Sequence, residues 1–446
     1  MPINPRRMAE RLHDGLRANP PEVLFELLYL FYVALIALET FHITTMSTVE
    51  LPNTLLSFVL ITEILAVGAK IAVEKPWRWW ELLLAVFLCG ACAWTNNRLN
   101  YNRNFLLEFA VLIIGARGVS FEKILKVYLG VLLPALLITV ILALTGQIEN
   151  LIYVREGRER IAFGICYPTD FCAHLFFLIC CYVWLRERRL RYFEIAVIVV
   201  FAWFCFRFCD ARNTTLCLLI LAAGLLYIKL RRRFAEKKGG EYRMNRVVSG
   251  ILCASMPLAA LIMFVLTLVY SENVPWLVTL DRLFSGRLAL GRAGFDQYAI
   301  SWSGQHVYMR GNGSALTYDS EYFWLDCSYV NILLRYGMLI LIAVFAIVWI
   351  GCLRQRRNRS WERLGILAVI AVHCMIEHHL AEIAYDPFLM MAFAVTSTDP
   401  QRAKLSDSFR LLRAWLIPSD RRRQTAPKLG GKFVSQINRL KKRPKK

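Results

Sequence analysis

The sequence lacks the marks that would tie its basic charge or its cysteines to familiar chemistry. No Gly-x-x-x-x-Gly-Lys-Ser/Thr stretch is present, so a P-loop nucleotide site has no support. The chain holds 13 cysteines, yet no paired Cys-x-x-Cys spacing comes with suitably placed histidines, which leaves a zinc site without support. No internal repeat points to an inverted-repeat transporter. The N-terminal stretch is basic and partly amphipathic, and it has no apolar run of the kind that precedes signal cleavage, so no signal peptide is expected. Acidic residues are few: 33 Asp and Glu stand against 54 Lys and Arg, a net charge of +21.

What is abundant is apolar. Of 446 residues, 57% are hydrophobic and 13% aromatic, above the roughly 45–50% apolar share of soluble domains. Runs of about 20 apolar residues, the length that crosses a hydrocarbon core as helix, account for the excess. The expected fold is therefore an all-α integral membrane protein with about 12 transmembrane helices, at 22–41, 53–73, 80–96, 104–116, 124–145, 161–185, 192–208, 214–230, 247–270, 329–353, 364–379 and 383–397. The runs at 104–116 and 383–397 are short enough to be partly buried or re-entrant. Cys89, Cys92, Cys180, Cys181, Cys217, Cys253, Cys352 and Cys374 lie inside these runs and read as small buried hydrophobes. Only Cys209 and Cys327 fall near the expected outer boundary.

Cytoplasmic loops of membrane proteins collect Lys and Arg, which explains the net charge without nucleic acid. The basic clusters before the first span and after the second, fourth, sixth, eighth, tenth and twelfth all fall on one side if the spans alternate. Both termini are then cytoplasmic. The expected organisation is a cytoplasmic segment at 1–21, helices over 22–270, an extracytoplasmic loop at 271–328, helices over 329–397, and a basic cytoplasmic tail at 398–446 that lies near anionic lipid headgroups.

The charges that break this pattern carry the functional information. Arg155, Arg158, Arg160 and Arg212 fall on the outer side, joined by Arg282, Arg287, Arg292 and Arg310 from the long loop. The planar guanidinium suits bidentate contact with phosphate oxygens, as a lipid-linked pyrophosphate would require. The competing reading pairs each arginine with a nearby acid (Glu156, Glu159, Asp210, Asp281) or a lipid headgroup. Acids on the same side include Asp170, Asp210, Asp281, Asp296, Asp319, Glu321, Asp326, Glu377, Glu382 and Asp386. Asp326 sits where the loop returns to the membrane and is either a general base or a helix cap. His378 and His379 read as base, ligand or interfacial residues, and adjacent positions on a helix point to different faces. Trp302, Tyr308, Tyr318, Tyr322, Phe323 and Trp324 either stack on sugar rings or anchor at the interface.

Five stretches carry a family likeness: REGRERIAFGICYPTDF (155–171), DARNTT (210–215), LDRLFSGRLALGRAGF (280–295) with RGNG (310–313), DCSYVNILLRYG (326–337) and IEHHLAEIAYDPFLMMAF (376–393). In order and membrane placement the chain resembles the Wzy-type polysaccharide polymerases of the O-antigen ligase and polymerase superfamily. Gly164, Pro168 and Arg212 match the family pattern, while Ile165, Tyr167, Thr169 and Ala211 depart from it. Asp326 and Gly337 keep the spacing of a ligase motif but lack its histidine. The resemblance implies a GT-C-like, metal-independent glycosyltransferase, without cofactors, acting on undecaprenyl-pyrophosphate-linked oligosaccharide at the outer face of the cytoplasmic membrane. It implies Asp326, Arg287 and Arg212 as catalytic residues, and Arg158, Arg160, Arg282, Tyr329 and His378 as substrate-binding ones. Flippase and chain-length regulator proteins are the implied partners. An O-antigen-type ligase is the alternative within the class, and a flippase or other transporter the alternative outside it.

Overall fold

The computed structural model describes residues 20–49, 51–73, 77, 79–99, 105–311 and 322–395, all within one compact unit, Met1–Leu405. The expected cytoplasmic tail, Asp319, Glu321 and Tyr318 lie outside the described residues.

The described residues are mainly helical: α1 (Pro20–Ile43), α2 (Asn53–Val73), α3 (Trp79–Leu99), α4 (Phe105–Gly115), α5 (Phe121–Leu144), α6 (Pro168–Arg186), α7 (Tyr192–Cys209), α8 (Arg212–Lys237), α9 (Arg246–Cys253), α10 (Ser255–Val269), α11 (Pro275–Leu283), α12 (Arg287–Gln297), α13 (Ser328–Asn331), α14 (Met338–Arg357) and α15 (Trp361–His373). Among the described residues, seven helices are long and apolar enough to cross a membrane, or eight if α9 and α10, bent by 61° at Ala254, form one span. The outer faces of α5 and α7 leave Leu137, Ile141, Leu144, Val200 and Trp203 exposed, as lipid-facing positions require. α6 packs against α5, α7, α8 and α15 and is the most enclosed of the spans. Phe176, Phe177 and Trp184 fill the centre of the bundle from it.

The sequence expectation differs from the structure where apolar residues are buried in protein rather than in lipid. The run at 104–116 is the 11-residue α4, too short to cross a core that needs about 20 residues. The run at 329–353 is interrupted at Gly337, whose backbone (φ 89°, ψ 170°) only glycine adopts readily. A Cβ there would lie 2.4 Å from the nitrogen of Gly304. The run at 364–379 stops as helix at His373, and 383–395, the described part of the last run, holds no spanning helix, only a 3-10 turn at Phe388–Ala392. This irregular stretch is nevertheless buried. Its carbonyls are met by side chains from other elements: Tyr128 Oη donates to Ala384 and Tyr385, and Ser328 Oγ to Glu377. Buried backbone polar groups need such partners.

The residues ahead of α6 hold a further departure. Residues 161–167 were expected in a span, but the chain forms a two-stranded hairpin of β1 (Ile152–Arg155) and β2 (Arg158–Ile161) before the helix. Its turn is Glu156-Gly157, both at positive φ (52° and 74°), as a two-residue hairpin with primed-turn geometry demands. Nor is the 271–328 segment a plain loop, since it contains α11 and α12.

Candidate functional site

Three helices begin at one cavity of about 390 Å³. Thr169 lines it from the first turn of α6, Arg212 and Asn213 from that of α8, and Gly286 and Arg287 from the start of α12. Helix N-termini carry partial positive charge and unpaired N–H groups, which favours anions. The ends of α6 and α8 have no side-chain cap. At α12, Asp281 accepts from the N–H groups of Leu288 and Ala289, at 2.8 and 3.1 Å.

Five arginines line the same cavity: Arg155, Arg160, Arg212, Arg282 and Arg287. The hairpin supplies the first two. Asp210, held in the left-handed region between α7 and α8, is the acid that gathers the group. It accepts from Arg155 Nε at 3.0 Å and Arg212 Nε at 3.4 Å, and Arg158 approaches it to 3.9 Å. Arg212 also pairs with the exposed Glu156 at 2.8 Å. Part of the arginine set is thus paired with neighbouring acids, as the competing reading of the sequence held.

Arg160 is the exception. It is 3% exposed and packs over the ring of Tyr167. Its Nε donates to the Cys209 carbonyl at 3.0 Å and one terminal nitrogen to Tyr167 Oη at 3.3 Å. No carboxylate pairs with it among the described residues, and its other terminal nitrogen has no hydrogen-bond partner. A buried cation without a counter-charge is costly, so the cavity wall has a place for an anion. Arg282, exposed at the same wall, likewise makes no ion pair with the described residues.

Arg287 and Asp326 form an ion pair at 2.8 Å, with side chains only 12% and 9% exposed. Arg287 also donates to the carbonyls of Ser285 (2.9 Å) and Ile376 (3.3 Å). Tyr322 Oη donates to the same Asp326 oxygen at 3.4 Å, and His378 Nδ1 lies 3.6 Å from the other. Burial pushes the Asp326 carboxyl up, but Arg287 and His378 outweigh it and hold the group below the usual carboxylate range.

Asp326 does not line the cavity; Glu377 does. Glu377 is 3% exposed, and its carboxylate forms no ion pair or side-chain hydrogen bond with the described residues. Burial pushes it up to about 7, against the opposing pull of Arg287. Its backbone is fixed by Ser328, whose hydroxyl donates to the Glu377 carbonyl at 2.6 Å.

The expected site residues therefore divide. Arg160, Arg212, Arg282 and Arg287 meet at the cavity. Arg158 lies beside it, largely exposed. Tyr329 is fully buried, with its hydroxyl committed to Ala371 at 2.6 Å; it holds α13 to α15 and does not reach the cavity wall. His378 and His379 are on no spanning helix, and their rings lie 4.1 Å apart rather than on opposite faces. Cys209 and Cys327 are both free. Sequence reasoning had counted Arg155, Asp210 and Glu377 only among the outer charges. For Arg155 a signal existed, since Glu-Gly between polar and apolar residues in alternation marks a hairpin that places arginines on both strands.

No family model matches the chain, and no curated protein or solved structure matches it.

Proposed function

We propose that the protein is a membrane glycosyltransferase that joins polyprenyl-pyrophosphate-linked oligosaccharide units into a polysaccharide, with the arginine-lined cavity on the outer face and both termini cytoplasmic. The observation that carries this reading is Arg160, a buried guanidinium without a carboxylate partner among the described residues, at a cavity where three helices begin. A pyrophosphate supplies the missing charge, and its oxygens match the fork geometry of several converging arginines. The seven or eight apolar helices give the lipid part of such a donor a bilayer to reside in. A GT-C-like architecture belongs to the same proposal.

In this reading the donor pyrophosphate lies against Arg160, Arg212 and Arg282, with Arg287 behind. These cations stabilise the charge that grows on the leaving pyrophosphate as the glycosidic bond breaks. The acceptor hydroxyl attacks the anomeric carbon, and its proton passes to a carboxylate at the cavity. Sequence alone favoured Asp326 for that base. The geometry favours Glu377, because Asp326 is paired with Arg287 and does not line the cavity, whereas Glu377 lines it and forms no ion pair among the described residues. Asp326 then acts as a positioning residue for Arg287.

Reconstitution into proteoliposomes with a lipid-linked repeat unit tests the reading. A ladder of products lengthening by whole repeat units is expected, and it should be lost in R160A. Transfer of one glycan to an unrelated acceptor would instead mark a ligase. Movement of the lipid across the bilayer without elongation would mark a transporter.

A further inference from the structure

Beyond α15 the chain makes a single 3-10 turn, His379–Ala381, and this turn brings three donor side chains together. We propose that His378, His379 and Glu382 form a binding site for one divalent transition-metal ion of the zinc type, which holds the segment next to Glu377 in place.

The Glu382 carboxylate lies between the two imidazoles, with Oε1 3.7 Å from His378 Nε2 and Oε2 3.3 Å from His379 Nδ1. The donor atoms of the three residues all fall within 4.8 Å of one another. Ligands held about 2.0–2.1 Å from zinc at tetrahedral angles stand about 3.3–3.4 Å apart, close to the separations of Glu382 from the two imidazoles. Two imidazoles and one carboxylate suit zinc and its first-row neighbours better than magnesium or calcium, which prefer oxygen alone.

The nitrogens that face away from Glu382 give an independent reason. His378 Nδ1 lies 3.6 Å from Asp326 Oδ1, and His379 Nε2 lies 3.6 Å from Asp170 Oδ1. Neither nitrogen makes a hydrogen bond, although His379 is fully buried. A carboxylate behind each imidazole is the arrangement that orients metal-binding histidines and raises their basicity, and here it occurs twice. Tyr385 stacks on His379 with centroids 3.8 Å apart and closes one side. The Glu382 side chain is 32% exposed, which leaves room for water as a fourth ligand. The rival occupant is a proton: His379, flanked by Asp170 and Glu382, and with Arg335 also facing Glu382, balances the cluster without metal.

This ion would sit outside the arginine cavity and take no part in the transfer step. The test uses the full chain in detergent, stripped with chelator and titrated with zinc chloride alone. One zinc per chain is expected by calorimetry and by elemental analysis. Affinity should fall at least tenfold in H378A and in E382Q, and about 10- to 100-fold in D170N, which acts through His379. Cobalt(II) in the wild-type chain should give ligand-field bands without thiolate charge transfer, a readout that needs no variant to fold. Zinc binding no stronger in the wild type than in E382Q, or a cobalt spectrum showing thiolate ligation, would overturn the proposal. Neither result bears on the arginine cavity, whose own test is elongation by R160A.

Discussion

The Arg287 guanidinium and the Asp326 carboxylate, 39 residues apart in the segment between α10 and α14, meet at 2.8 Å with both side chains nearly out of water. This pair closes α12 against the return of the chain and, through Ile376, against the stretch that carries Glu377.

Removing one partner of such a pair leaves a buried charge and costs about 3–5 kcal/mol. R287A and D326A should therefore each lower the thermal midpoint of the purified protein clearly, while the double variant should lose much less than their sum. Additive losses in a double-mutant cycle would show that the two side chains are not energetically coupled.

R160A and R160M remove the cation that has no carboxylate partner among the described residues. A charge-assisted hydrogen bond contributes about 1.5–3 kcal/mol, so pyrophosphate binding measured by calorimetry should weaken roughly 10- to 100-fold. The thermal midpoint of ligand-free R160M should stay level or rise, because a desolvated charge has been removed. A large drop in that midpoint would make Arg160 a structural residue instead.

Glu377 and Asp326 are told apart by their amides. A positioned general base contributes typically about 10²–10⁴-fold in rate. E377Q should suppress elongation by that order with folding intact, and D326N should act mainly by destabilising the Arg287 environment. Normal product ladders from E377Q would remove it from the proposed mechanism.

Gly337 is required by the backbone. In G337A the new methyl would meet the Gly304 nitrogen at 2.4 Å and the Trp302 carbonyl oxygen at 2.6 Å, in a region of φ and ψ that costs about 1–3 kcal/mol by itself. Little folded protein should reach the membrane, as read by fluorescence-detected size exclusion. Gly157, also at positive φ but with nothing within 4 Å of its Cβ position, should tolerate alanine with a smaller loss, about 1–2 kcal/mol.

The DCSY stretch shows how far the sequence could be read. Its position at the return of the long segment was legible, but Asp326, Ser328 and Tyr329, with Asn331 after them, turned out to have holding roles. Asp326 binds Arg287, Ser328 holds the Glu377 carbonyl, Tyr329 holds Ala371, and Asn331 donates to Leu325 at 2.8 Å. A motif names residue types at a spacing. It does not say whether a carboxylate faces a cavity or a guanidinium.

Membrane residence and the bounds of several spans follow from the sequence alone. The expected spans 53–73 and 192–208 agree with α2 and α7 to within one residue, because some twenty successive apolar residues have few places to go except lipid. The gathering of scattered arginines was also foreseeable from their charge pattern. Tertiary structure decided the rest. It sent the apolar residues of 383–394 into a protein core instead of a bilayer, since apolar residues gain from either environment. It folded 152–161, ahead of the expected span at 161–185, into a hairpin. It also decided which acids neutralise which arginines, leaving Arg160 and Glu377 without an ion-pair partner among the described residues, because ion pairing depends on a few ångströms of separation between residues far apart in the chain.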